Sequence, residues 1–195
     1  MDLAEAYSGR IWAAYGDESR VKLDFDGAGR AFPLEEFLPD ATYPPLGYQP
    51  GYCQGAPVLD APGFHFGTSI KGAAPVVRAD GQTIKLPDKP ATALYLVGAC
   101  TKDPHPADFV IHYKDGTEQH LSLTFANWLG GPQHGEPLML RSTHVHTATG
   151  DDWTQHGALY VYKLTLDPTR MSATLLLPDS PDLAIFSATL ELPAK

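Results

Sequence analysis

The sequence predicts an all-β protein, an antiparallel β-sandwich or jelly roll with a short N-terminal helix. Three observations carry that prediction. Apolar and polar residues alternate with a period of two through most of the chain, the spacing that lines one face of a strand. Eighteen glycines and eighteen prolines shorten regular elements and multiply turns. No strand-like run alternates with a crossover helix, which argues against βαβ units and a parallel sheet.

The elements follow in chain order. Residues 1–19 form the helical segment, with Leu3, Tyr7, Ile11 and Tyr15 near helical spacing. Residues 20–195 form the sandwich, and the whole chain is one domain, long enough to bury a single good core. "VKLDFDG" sets Val21, Leu23 and Phe25 against Lys22, Asp24 and Asp26 and ends in a turn. "PLEEFLP" offers a short helical turn that a proline stops. "DATYPPLGYQPGYCQGAP" (residues 40–57) is a long, aromatic-rich connection, and long loops in compact domains tend to carry function. "GFHFGTSI" places Phe64 and Phe66 on one face and His65 on the other. "QTIKLP", "TALYLVGAC", "DFVIHYKDGTEQHLSLTF", "ALYVYKLTL", "MSATLLLP" and "LAIFSATLEL" each read as strand. Asp115-Gly116 between two such runs is the strongest hairpin signal in the chain. There is no internal repeat and no low-complexity linker.

Bulk properties narrow the function. A formal net charge of −9 argues against nucleic acid or an anionic membrane surface as partner, because both require a basic footprint. No run of about twenty apolar residues is present to span a bilayer as a helix. The N-terminus lacks a basic region followed by an apolar one, which implies a cytoplasmic protein, or a secreted or periplasmic one whose signal peptide has been removed. Cys53 and Cys100 are too few to diagnose a compartment and read as separate buried thiols more readily than as one disulfide.

Polar chemistry concentrates in "LRSTHVHTATGDDWTQHG" (residues 140–157). If residues 140–147 are extended, His144 and His146 share one face and Arg141 and Val145 the other. Such a pair suits zinc or copper once His156 or Asp152 supplies a third ligand, with His134 one loop earlier. Equally, the two rings can be polar groups on a strand face, bonded to carbonyls or water. Catalysis would draw on two carboxylates among Asp103, Asp151 and Asp152, but adjacent aspartates on a turn point apart and more often shape the turn. Cys100 lies in the apolar "LVGAC" and reads as inert. No nucleophile elbow, phosphate loop or dinucleotide fingerprint occurs. Sugar binding uses the same residues more economically, because it needs flat rings beside fixed polar groups. Trp153, Trp128, Tyr43, Tyr48 and Tyr52 supply the rings, with Trp153, between Asp152 and Thr154, the better platform and Trp128, directly after the apolar "LTF", the likeliest of them to be a core ring; Arg141, His144, His146 and Asp152 are the polar partners.

Five phrases in order, "FDGAGRAFPLEEF", "GFHFGTS", "ADGQTIKLPDKPATALYLVGA", "FVIHYKDGTEQHLSLTFANW" and "HVHTATGDDWTQHGALYVYKLTLDPTRMSATLLLPDSPDLAIFSATLEL", cover most of residues 20–192. Together they resemble the galactose-binding-like β-sandwich modules that accompany bacterial glycoside hydrolases. The resemblance implies a non-catalytic carbohydrate-binding module, with polysaccharide or oligosaccharide as ligand and a catalytic glycoside hydrolase domain as partner. It also implies a structural calcium between an early Asp-Gly turn and a late glutamate, here Asp26 and Glu191, with zinc or copper ranked behind calcium. The alternative is a small stand-alone glycosidase or metal-dependent carbohydrate-active enzyme centred on His144, His146 and His156.

Overall fold

A computed structural model of the chain describes residues 24–33, 42–43, 64–65 and 76–194, the two short internal pairs by backbone alone. The predicted N-terminal helix, the "PLEEFLP" turn, Tyr48, Tyr52 and Cys53 lie outside the described residues. All regular structure within them is strand.

Two antiparallel sheets form the sandwich. The five-stranded sheet runs β4 (Val77–Asp80), β14 (Asp179–Glu191), β6 (Ala93–Cys100), β12 (Ala158–Thr165), β9 (Leu138–Arg141). The four-stranded sheet runs β5 (Thr83–Lys85), β13 (Ser172–Leu176), β7 (Pro106–Tyr113), β8 (Glu118–Thr124). Their sequences differ as their surroundings do. β7 alternates cleanly, with Ala107, Phe109, Ile111 and Tyr113 buried, the pattern of a sheet with one wet face. β6 is buried along its whole length, "ALYLVGAC", because it is the central strand of a sheet covered on both sides. Gly98 has its place there for steric reasons, since a Cβ would run into the Ala184 carbonyl and the Phe125 ring.

The Asp115-Gly116 hairpin joins β7 to β8, with His112 opposite Glu118. Gly116 sits at φ 83°, a conformation that favours glycine. Five further strands complete the described structure: β1 (Arg30–Ala31), β10 (Val145–Thr147) and β11 (Gly150–Asp152) form a three-stranded sheet, and β2 (Thr42–Tyr43) pairs with β3 (Phe64–His65). The turn expected at the end of "VKLDFDG" begins earlier than the alternation implies, already at Asp24-Phe25. From Asp24 to Gly29 the chain is a turn, in which the Asp24 carboxylate accepts from the Gly29 amide at 2.8 Å and that of Asp26 from the Ala28 amide at 2.9 Å.

Trp128 is a core ring and not a sugar platform. Its amide donates to the Cys100 carbonyl and its carbonyl accepts from the Ala158 amide, so the backbone is sewn to β6 and β12 and the indole turns inward. There it meets Phe25 and Phe32 at centroid distances of 5.1 and 4.8 Å, and Phe186 of β14 closes the cluster against both phenylalanines. Burying large rings edge-to-face is among the strongest packing contributions available to a domain this size. Cys100 is a free, buried thiol, and burial pushes its pKa up to about 12, which agrees with the inert reading.

Candidate functional site

Between the end of β9 and the start of β12 the chain makes an excursion, residues 142–157, clasped at its base. The Ser142 amide donates to the Gly157 carbonyl at 2.7 Å. The Ser142 hydroxyl accepts from the Gly157 amide at 2.8 Å and donates to the His144 carbonyl at 2.6 Å. Gly157 belongs here because a Cβ would lie 2.6 Å from the Phe32 ring and 3.0 Å from Trp128. The neck of the excursion therefore presses directly on the aromatic core.

Above the neck, β10 and β11 form a hairpin with Val145 opposite Asp152, His146 opposite Asp151 and Thr147 opposite Gly150. The Thr147 hydroxyl laces its turn, donating to the Gly150 carbonyl at 2.7 Å and accepting from the Thr149 amide at 3.3 Å. Gly150 adopts φ 140°, a value L side chains avoid. Directly opposed residues share a face of a sheet, so the register decides the site. Asp151 joins His146, while Asp152 goes with Val145 to the other side. The third candidate ligand beside the two imidazoles is thus Asp151, in place of the expected Asp152 or His156. A reading that ran residues 140–147 as one arm missed the hairpin, and "TATG" was the turn signal that could have located it.

The histidines are also not the wet strand-face pair that strand periodicity suggests. His144 is 5% exposed and His146 1%, because β10 is the middle strand, with Ala31 of β1 opposite His146. Their rings lie 5.1 Å apart. Nε2 of His144 is 3.7 Å, and Nε2 of His146 3.6 Å, from the same oxygen of Asp151, Oδ1. The Thr143 hydroxyl lies 3.1 Å from His144 Nδ1 and orients that ring.

Trp153 is 63% exposed, and among the residues with described side chains it is the one exposed Phe, Tyr or Trp. One face of its indole stacks on the His144 ring at 4.4 Å and 29°. Asp152, just before it, accepts from the Thr154 hydroxyl (2.6 Å) and amide (2.9 Å) and from the Gln155 side chain (2.5 Å). The Thr154 hydroxyl first, then its amide, hold the Asp152 carboxyl below the usual carboxylate range. Arg141 is exposed at the end of β9, opposite Ala158. His134 and Asp103 are exposed in other loops.

Asp26 and Glu191, expected to share a calcium ion, each face a cationic side chain. The Arg30 guanidinium lies 2.6 Å from Asp26 Oδ2, where a cation would have to sit, and Oδ1 accepts from the Ala28 and Arg30 amides. Glu191, at the end of β14, faces Lys163 at 3.6 Å. Asp26 instead braces the hairpin. Arg30 carries on to Gln155 at 2.9 Å, and Gln155 to Asp152, so a polar chain runs from the "FDGAG" turn to the Trp153 loop. Sequence reasoning gave Arg30, Gln155, Ser142 and Thr143 no role.

The model of one family, described as the AziU2-like beta-sandwich domain, matches residues 13–193. No curated protein matches the chain.

Proposed function

The chain belongs to the AziU2-like beta-sandwich family, and from that premise we propose that it is a binding module that seats a carbohydrate on Trp153. The observation that carries this reading is an exposed indole with one face pinned against a buried imidazole. Pinning removes ring freedom before a ligand arrives, and preorganisation of that kind favours binding. Sugars offer apolar C–H faces that stack on such rings and hydroxyls that need fixed polar partners. Asp152 and Gln155, locked to each other and to Arg30, stand beside it as such partners, and Arg141 adds an exposed guanidinium at the neighbouring strand end. A galactose-binding-like module acting beside a glycan-degrading catalytic domain on polysaccharide or oligosaccharide is the finer form of the proposal.

Calorimetric titration and affinity electrophoresis against plant and bacterial polysaccharides test it. Binding should weaken about tenfold in Trp153→Ala, the scale of one lost ring contact. Absence of binding to every glycan, or an unchanged Trp153→Ala, defeats the reading. The cluster of two buried imidazoles and a partly exposed carboxylate supports a second reading, a metal-dependent carbohydrate-active enzyme, which release of reducing sugar from any of these polymers would favour.

A further inference from the structure

We infer that His144, His146 and Asp151 form a binding site for a divalent transition-metal ion, with zinc(II) the best chemical match. The site stands independently of the sugar-platform reading, because it rests on different atoms.

Geometry comes first. One donor atom from each residue lies within 4.8 Å of the other two. The two imidazole–carboxylate separations of 3.6 and 3.7 Å are too long for hydrogen bonds. They are close to the edge of a tetrahedron around a metal, about 3.3 Å for bonds of roughly 2.0–2.1 Å. A single carboxylate oxygen nearly equidistant from two Nε2 atoms is how co-ligands of one ion are arranged; the two imidazole–carboxylate edges would close by a few tenths of an ångström, and the edge between the two imidazoles, within 4.8 Å, by more.

The donor set selects the class of ion. Calcium and magnesium take oxygen ligands, whereas two imidazoles and one carboxylate suit zinc and other first-row transition metals. Among the described residues three supply ligands, and a three-ligand set with water or substrate in the fourth position is the arrangement of zinc sites that bind or activate a further molecule.

The surroundings are built to hold the ligands. Nδ1 of His144 is bonded to the Thr143 hydroxyl, which leaves Nε2 as the ring nitrogen facing Asp151; a partner on the far nitrogen is the usual outer-shell device for fixing a ligating histidine. Trp153 covers the His144 ring from solvent. The Ser142–Gly157 clasp and the pairing of β10 with both β1 and β11 place the three residues before any ion arrives. Little ordering is then left to be done on binding.

The test is titration of the chelator-treated full chain with zinc(II) by calorimetry, and with cobalt(II) by visible absorption. We expect saturation at one ion per chain, a tetrahedral cobalt spectrum, and a thermal midpoint that rises with zinc concentration, since an ion that binds only the native state stabilises it. Asp151→Asn keeps the side-chain shape and should weaken zinc binding by more than the roughly 10–100-fold that loss of an outer-shell partner costs. Thr143→Val should fall within that 10–100-fold range, and Trp153→Ala should still bind the ion, which separates this site from sugar recognition. If His146→Ala fails to fold, Asp151→Asn and the wild-type cobalt spectrum still decide the matter. The site is refuted if titration of the wild type shows no saturable binding, if Asp151→Asn binds zinc as tightly as wild type, or if binding is lost in His120→Ala instead.

Discussion

Two hairpins of this protein carry the same three chemical groups and put them to different use. On β7–β8, Glu118 sits between His112 and His120. On β10–β11, Asp151 sits between His144 and His146. The first trio is on the wet face of the four-stranded sheet, with the His120 and Glu118 side chains 71% and 50% exposed. Glu118 also divides its oxygens, Oε1 to His112 at 3.1 Å and Oε2 to His120 at 3.6 Å, so the rings do not converge on one point. In the second trio both rings are buried, the Asp151 side chain is 24% exposed, and the two rings share a single oxygen. Residue types therefore do not define a site here. Desolvation and a common focus do, because a buried charged or polar group must be matched by its surroundings, while exposed pairs are screened and contribute little.

The largest test of that contrast is deletion of one ring from each trio in the metal-free protein. His146→Ala should destabilise by about 2–3 kcal/mol, the upper range for losing a buried side chain, whereas His120→Ala should stay within ~0.5 kcal/mol. Urea unfolding measures both, and comparable losses would dissolve the distinction. A smaller difference should separate the two glycines. Gly157→Ala forces a methyl against Phe32 and Trp128, with an overpacking cost of about 1–3 kcal/mol, and should also loosen the neck of the site. Gly116→Ala has open space around it and bears only the left-handed backbone cost, about 1–2 kcal/mol. Ion binding should weaken in the first and be untouched in the second, and equal effects on binding would contradict the link between neck and core.

The smallest effect concerns a turn that the two regions share. Asp115-Gly-Thr117 and Asp152-Trp-Thr154 each point the threonine hydroxyl and amide at the preceding aspartate, and in both the hydroxyl is the first cause of a lowered carboxyl pKa. A depressed carboxyl stabilises the fold above its ordinary titration range, and that contribution fades as pH falls through the lowered value. Thr117→Val and Thr154→Val should each raise their aspartate's pKa toward the ordinary range in an NMR titration. Only the Thr154 change should also disturb the Trp153 environment, through Gln155 and Arg30. Fluorescence that responds equally to both variants would remove the special standing of the second turn.

Much of this protein was legible in its residues. Strand-like runs between turn residues identified β6, β7, β8, β12, β13 and β14; the alternation is plain in β7, where a strand at a core boundary sends alternate side chains to oil and water. Asp-Gly marked the β7–β8 hairpin through a requirement of the backbone itself. Those rules act over a few residues, so the sequence by itself determined the all-β class and the stretch, residues 140–157, in which polar groups gather. The tertiary structure decided what that stretch holds. Arg30 reaches Gln155 across 125 positions, and β1 closes over β10 from a similar distance. That closure buries His144 and His146, and the hairpin register puts Asp151 beside them in place of Asp152. Long-range packing seals Trp128 into the core and leaves Trp153 outside, a split that the apolar "LTF" before Trp128 and the polar neighbours of Trp153 already suggest in the sequence. Local periodicity states which way a side chain points relative to its neighbours; burial depends on what distant segment arrives on that side.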